Sequence, residues 1–215
     1  MKRSHKGSLF VLLLFLSGIT QSSFAQKAKD IFNSSETPIT YLGIDFSRAK
    51  LIGDAGADAI DIRNKWFASI NDVVVNEPKK YNLQKALEKS SIASDLSFVM
   101  EKNAKADVAK LLSSNSSDDS RFTKATIDEI VRGYSFGGKK GVGMMFVMET
   151  MNKTASNGSM YVTFIDMGSR KVLYTERMTG KAGGFGFRNY WVKPVYEVIE
   201  QIDKSKYKEW QNTVQ

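Results

Sequence analysis

The stretch GMMFVMETMNKTASNGSMYVTFIDMGSRKVLYTERMTG, residues 143–180, decides the fold. Three runs rich in β-branched, aromatic and methionine residues, 143–154, 159–167 and 171–180, are separated by Asn157-Gly158 and Gly168-Ser169. Asn-Gly between two such runs is a strong hairpin signal, because a tight two-residue turn needs positive φ at its centre. The spacing predicts an antiparallel three-stranded meander. Beyond it, Trp191, Val195, Val198 and Ile202 recur on one stripe and predict a closing helix from about Phe187 past Ile202. Pro194 places the start of the helix proper at that residue, where a first-turn proline is tolerated.

Upstream, residues 26–37 read as a mobile lead-in closed by Pro38, and ITYLGIDF, residues 39–46, as a strand. Ile60, Ile62, Trp66, Phe67 and Ile70 give residues 57–71 a broad apolar helical face suited to covering a sheet. Asn82 caps a short helix reaching Lys89. A second strand is expected over 91–101 and a short helix over 104–112. SSNSSDDS, residues 113–120, is small and polar throughout and reads as a loop open to proteolysis. Thr126-Ile-Asp-Glu129 matches a capping box for a helix ending near Gly133. The expected fold class is α+β, a mixed α/β sandwich: a meander packed by helices, in a single domain over 26–215.

Lys2, Arg3 and Lys6 followed by LFVLLLFL, residues 9–16, and Ser23-Phe24-Ala25 have the form of a secretory signal peptide, residues 1–25, cut after Ala25. Its eight strongly apolar residues fall short of the roughly 20 that cross a bilayer. No later stretch reaches spanning length, so no transmembrane segment is expected in the mature protein. The expected location is therefore outside the cytoplasm, and the periplasm in a bacterium with two membranes. The chain has no cysteine, and its one histidine, His5, lies in the leader. Thiol chemistry, histidine general-base catalysis and the commonest metal ligands are thereby removed, and neither a cofactor nor a metal is expected.

The 31 Lys and Arg exceed the 23 Asp and Glu, and loss of the leader leaves 28 against 23. Residues 132–193 hold ten basic residues against Glu149, Asp166 and Glu176. This asymmetry points to an anionic partner, an envelope component or an acidic protein, with peripheral membrane contact as a further option and no nucleic acid expected. GYSFGGKK, residues 133–140, has P-loop spacing, but Lys140 stands where Ser or Thr must hold magnesium. It follows a helix and opens a strand, the reverse of a nucleotide site. Lys139 and Lys140 remain as anion-binding candidates. GKAGGFGFRNYW, residues 180–191, lacks the third glycine of a dinucleotide fingerprint, Asn189 standing in its place. Its aromatic and cationic content makes Lys181, Arg188 and Trp191 candidates for partner contact. Asp54, Asp58 and Asp61 lack the alternation of a calcium loop and suit a helix N-terminus instead.

The stretch YVTFIDMGSRKVLYTERMTGKAGGFG, residues 161–186, resembles a hairpin of bacterial envelope proteins in the curli-secretion-lipoprotein and TolB-N-terminal-like group. Asp166, Gly168, Val172 and Gly180 are the matching positions. The resemblance implies a mixed α/β fold and a role in envelope assembly or transport, with no catalytic residues to carry over. The chain lacks the anchoring cysteine of the lipoprotein members.

These observations favour a non-catalytic envelope-associated binding or assembly protein that uses a basic C-terminal face. The alternative is a carboxylate-dependent enzyme acting on an envelope glycan, with Asp45, Glu149, Asp166 and Glu176 as its acidic candidates. A third reading, a carrier of a small apolar ligand, draws on the nine methionines, which serve equally as core filler.

Overall fold

The structure, a computed structural model, describes residues 28–214. The expected signal peptide, residues 1–25, and the expected cut after Ala25 lie outside the described residues.

Strand β5 (Val142–Asn152) is the axis of a seven-stranded sheet. Along one edge it pairs in parallel with β1 (Ile39–Asp45) and then with β2 (Lys50–Ile52), so these two run as one strand broken at 46–49. Two short strands lie outside them, β3 (Ile92–Ser94) beside β1 and β4 (Leu112–Ser113) beside β2, both parallel. On its other edge β5 pairs antiparallel with β6 (Asn157–Asp166), which pairs antiparallel with β7 (Lys171–Lys181). The expected meander is present, but it is half of a sheet whose other half is parallel.

Helices cover both faces, which is why β5 reads as an almost unbroken apolar run. Met144, Phe146, Met148 and Met151 enter the larger core, while Met145 and Val147 enter the smaller one. The larger core is closed by α1 (28–33), by a continuous helix α2 (59–76), by α3 (Leu83–Ala86) and by a C-terminal helix α6 that begins at Phe187 and runs to Thr213. The smaller is closed by α4 (Ser97–Asn103) and α5 (Lys124–Arg132).

Several local expectations are corrected. The lead-in is helical over 28–33: Ile31 and Phe32 are buried, and Phe32 meets the rings of Phe164 and Tyr174, each at 5.2 Å, and those of Tyr207 and Trp210. Residues 91–101 are strand only over Ile92–Ser94; Asp95 then accepts from the Ser97 N–H (3.1 Å) and hydroxyl (2.6 Å), and the apolar run coils into α4. Short apolar runs do not distinguish strand from helix. The expected helix at 104–112 is a single 3₁₀ turn, Val108–Lys110, followed by β4. The polar segment 113–120 contains a 3₁₀ turn, Ser116–Ser120, held by Ser113 donating to Asp118 and Thr150 donating to Asp119, each at 2.6 Å. The capping box at α5 is formed by Thr123 with Thr126 rather than by Thr126 with Glu129.

The first hairpin turns at 153–156 rather than at Asn157-Gly158, both of which lie in β6. Gly158 sits opposite Gly180 of β7, and Pro194 of α6 fills the space both leave: a Cβ on Gly180 would lie 2.2 Å from the Pro194 carbonyl oxygen. Pro194 is inside α6, contrary to expectation. A proline there deprives the Tyr190 carbonyl of its helical donor. The Gly183 N–H supplies one instead at 3.3 Å.

Beyond Tyr41, strand β1 outruns β3. Two buried amides take the place of the missing neighbour. Asn71 of α2 accepts from the Ile44 N–H (2.7 Å) and donates to the Ile44 carbonyl (3.1 Å), while Asn103 of α4 accepts from Phe46 N–H (2.7 Å) and donates to the same carbonyl (2.9 Å). Every buried backbone group needs such a partner.

Lys89 anchors α1: its buried ammonium donates to the carbonyls of Ile31 and Ser34 and to the Tyr207 hydroxyl. Burial lowers its pKa from 10.5 to about 8. Between these values the folded chain holds fewer protons than the unfolded chain, so the contribution of Lys89 to stability rises with pH across that window. Urea unfolding of wild type and Lys89→Met across the window is expected to show a steeper rise with pH for wild type.

Candidate functional site

The break between β1 and β2 opens a recess of about 520 Å³. It lies where the parallel strand β1 ends, the position at which open α/β sheets commonly receive ligands. Phe46, Ala106, Leu111 and Phe122 contribute apolar walls, and Arg48, Lys50, Arg63, Lys110 and Arg121 surround them. Asp107 is the single carboxylate in the lining, and it pairs with Lys110 at 3.2 Å. Arg48 pairs with Glu129 at 2.6 Å. Among the described residues, Lys50, Arg63 and Arg121 have no carboxylate within ion-pair distance.

Arg121 is held by main-chain oxygens: it donates to the Glu149 carbonyl at 3.2 Å and to the Arg48 carbonyl. Both acceptors lie at irregularities of the sheet. Arg48 is in the β1–β2 break, and Glu149 is the extra residue of a bulge in β5, between pairs Met148↔Met160 and Thr150↔Ser159. Such bulges re-aim side chains. Here the bulge turns the Glu149 carboxylate into the interior, where it takes the Phe122 N–H and the Arg177 Nε–H at 2.7 Å. The guanidinium of Arg121 thus has a fixed position, and burial lowers its pKa from the ordinary value. A second recess of about 400 Å³, lined by Lys102, Lys105 and Tyr134, adjoins the first through Ser47 and Arg48. Lys102 lies 4.2 Å from the centre of the Tyr134 ring, and burial lowers its pKa also.

The residues expected to bind a partner are not brought together. Lys139 and Lys140 precede β5, whereas Lys181 ends β7, and the eleven residues of β7 span about 33 Å between those ends. Lys139 pairs with Asp95. Lys140 is exposed beside the second hairpin turn. Arg188, half-buried, donates to Asn189 at 3.1 Å. Trp191 is 2% exposed, and its indole belongs to the core against Tyr190 and Phe187. In the 133–140 segment Tyr134 and Phe136 are buried and stacked, so the glycines that follow form a connection.

The acidic candidates are likewise dispersed. Asp45 is buried and accepts from Tyr134 and from the Ser47 N–H, each at 2.6 Å, and Glu176 takes the Tyr174 hydroxyl and Lys206. Asp58 caps α2, and Asp54 pairs with Lys153. Asp166 shares a recess of about 270 Å³ with Asp30. Among the described residues no group of three potential metal ligands occurs, and no helix is long and apolar enough to cross a membrane.

Sequence reasoning missed the cleft because its cations are scattered from residue 48 to residue 121, outside the segment with the basic excess. The fold and the cleft define a mixed α/β protein with a cationic recess at the end of its parallel strands. No protein-family model matches the chain, and no curated protein matches it.

Proposed function

We propose that this chain is an exported, non-catalytic binding protein of the cell envelope, and that the cleft at the β1–β2 break seats an anionic ligand bearing phosphate or carboxylate groups. One observation carries the reading: Lys50, Arg63 and Arg121 converge on a single recess without carboxylate partners among the described residues. Like charges held together in a partly desolvated recess repel one another, and an anion relieves that repulsion. The basic leader followed by an apolar run supports export.

Calorimetric titration with tripolyphosphate at low salt tests the reading. Arg63→Glu combined with Lys110→Glu is expected to weaken binding at least tenfold, whereas Lys140→Glu changes it less than twofold. Added salt weakens wild-type binding because the recess is open to solvent. Equal affinity in all three proteins would overturn the assignment.

The competing reading, a carboxylate-dependent enzyme on an envelope glycan, is favoured by the recess that Asp30 and Asp166 share. It expects glycan turnover that disappears in Asp166→Asn.

A further inference from the structure

Phe185 is 95% exposed, and the other exposed large apolar side chain among the described residues is Ile60 at 57%. It stands at the tip of the glycine-rich connection between β7 and α6. The tip has a defined shape: Ala182 donates to the Ser156 carbonyl at 2.9 Å, Gly183 to Tyr190 at 3.3 Å, and Tyr190 to Gly186 at 3.0 Å. Gly184 and Gly186, on either side of Phe185, have φ of +105° and +78°. Residues with a Cβ rarely adopt such angles, so the two glycines hold the ring outward at a conformation other residues resist.

The surroundings are amphipathic. Behind the tip, Phe187 packs on Trp66 at 5.8 Å, with the Lys65 ammonium 4.3 Å from the Trp66 ring. Trp66 and Tyr190 are each partly exposed. Lys181 and Arg188 flank the tip in sequence, and no ion pair engages Lys65, Lys181 or Arg188 among the described residues. Two of the nearby acids are occupied: Asp54 pairs with Lys153, and Asp58 accepts from the N–H groups of Ile60 and Asp61. Ile60, the other exposed large apolar residue, opens α2 just beyond the loop whose Asp54 shares a recess with Gly184 and Gly186.

We infer that this end of the molecule docks on an anionic lipid bilayer, Phe185 entering the boundary between headgroups and acyl chains while Lys65, Lys181 and Arg188 meet lipid phosphates. A projecting ring backed by half-exposed Trp and Tyr and by cations without carboxylate partners is the combination that suits a membrane interface. A protein interface of ordinary size needs a patch of several exposed apolar groups, and this end offers two. The inference is independent of the anion cleft, which lies at the β1–β2 break.

Flotation with phosphatidylcholine vesicles, with and without phosphatidylglycerol, tests it, using the chain from Gln26 onward because the core is built within the described residues. Wild type is expected to float with the phosphatidylglycerol vesicles. Phe185→Ser lowers partitioning about tenfold, the loss expected for withdrawing one large apolar side chain from an apolar environment. Phe185→Trp retains binding and gains fluorescence that bromine-labelled acyl chains quench beyond the wild-type background. Lys181→Glu with Arg188→Glu lowers partitioning only where phosphatidylglycerol is present. Wild type that stays with the protein fraction, Phe185→Ser that floats like wild type, or vesicle-bound Phe185→Trp quenched no more than wild type would each overturn the inference. Phe185 faces solvent, so its substitution leaves the fold intact.

Discussion

Replacing Arg177 with methionine destabilises the fold by about 3–5 kcal/mol, the usual consequence of stranding one member of a buried ion pair. Glu149 is fully buried, and the Arg177 side chain is 32% exposed. Of the two donors that hold the buried Glu149 carboxylate, the loss of Arg177 leaves the Phe122 N–H. Arg177 also donates to the Asp119 carbonyl, which ties the 3₁₀ turn Ser116–Ser120 to β7. Urea denaturation at neutral pH measures the loss. Adding Glu149→Gln to Arg177→Met is expected to recover most of it, because a neutral amide tolerates the site where a lone carboxylate does not. The same change loosens the main chain at Arg121 and Phe122, so tripolyphosphate affinity falls with stability. If Arg177→Met unfolds at the wild-type urea midpoint, the bulge has another way of satisfying Glu149.

Gly180→Ala has the second large effect, a loss of about 3 kcal/mol, at the upper end of what overpacking costs. The added Cβ would lie 2.2 Å from the Pro194 carbonyl oxygen and 2.8 Å from its carbonyl carbon, and these are main-chain atoms in the middle of α6. No side-chain rotation relieves that contact. The helix must lift from the sheet, disturbing the packing of Trp191, Val195 and Val198. Gly56→Ala serves as the control: nothing lies within 4 Å of its Cβ position, and the expected change is below about 0.5 kcal/mol. Thermal unfolding of both variants distinguishes a steric cause from a general effect of losing glycine. Equal midpoints for the two would refute the steric account.

The meander and the closing helix are legible in the sequence because each depends on patterns within a few residues: apolar runs, turn residues, and the stripe of Trp191, Val195, Val198 and Ile202. Of the parallel half only β1, read as a strand over 39–46, is legible. Strands β2, β3 and β4 are two or three residues long and acquire their identity from neighbours far away in the chain. Asn157-Gly158 departs from its local signal for a related reason. Gly158 answers to a proline on a distant helix, which outweighs its turn preference. The amides of Asn71 and Asn103 look ordinary in sequence, and their function appears only once β1 has an uncovered margin. The cleft cations behave alike: Arg48, Lys50, Arg63, Lys110 and Arg121 come from separate elements and meet only through the break between β1 and β2. The Lys139, Lys140, Lys181 and Arg188 group shows the opposite case, since residues that sequence reasoning joins into one basic face stand at two ends of a long hairpin.

The carboxamides along the outer margin of β1 bear on how the molecule meets copies of itself. An uncovered strand margin is a template on which another extended segment can grow. Asn71 and Asn103 occupy the donors and acceptors that such a segment would need at Ile44 and Phe46, so recruitment there is blocked by groups that cannot propagate it. At the opposite border, β7 pairs with β6 alone among the described strands. Its two ends carry the exposed Lys171 and Lys181, and lysines on an edge strand discourage pairing with like copies. The margin of β1 beyond β3 is thus closed by hydrogen-bond exhaustion and the two ends of β7 by lysines, two independent obstacles to edge-to-edge growth.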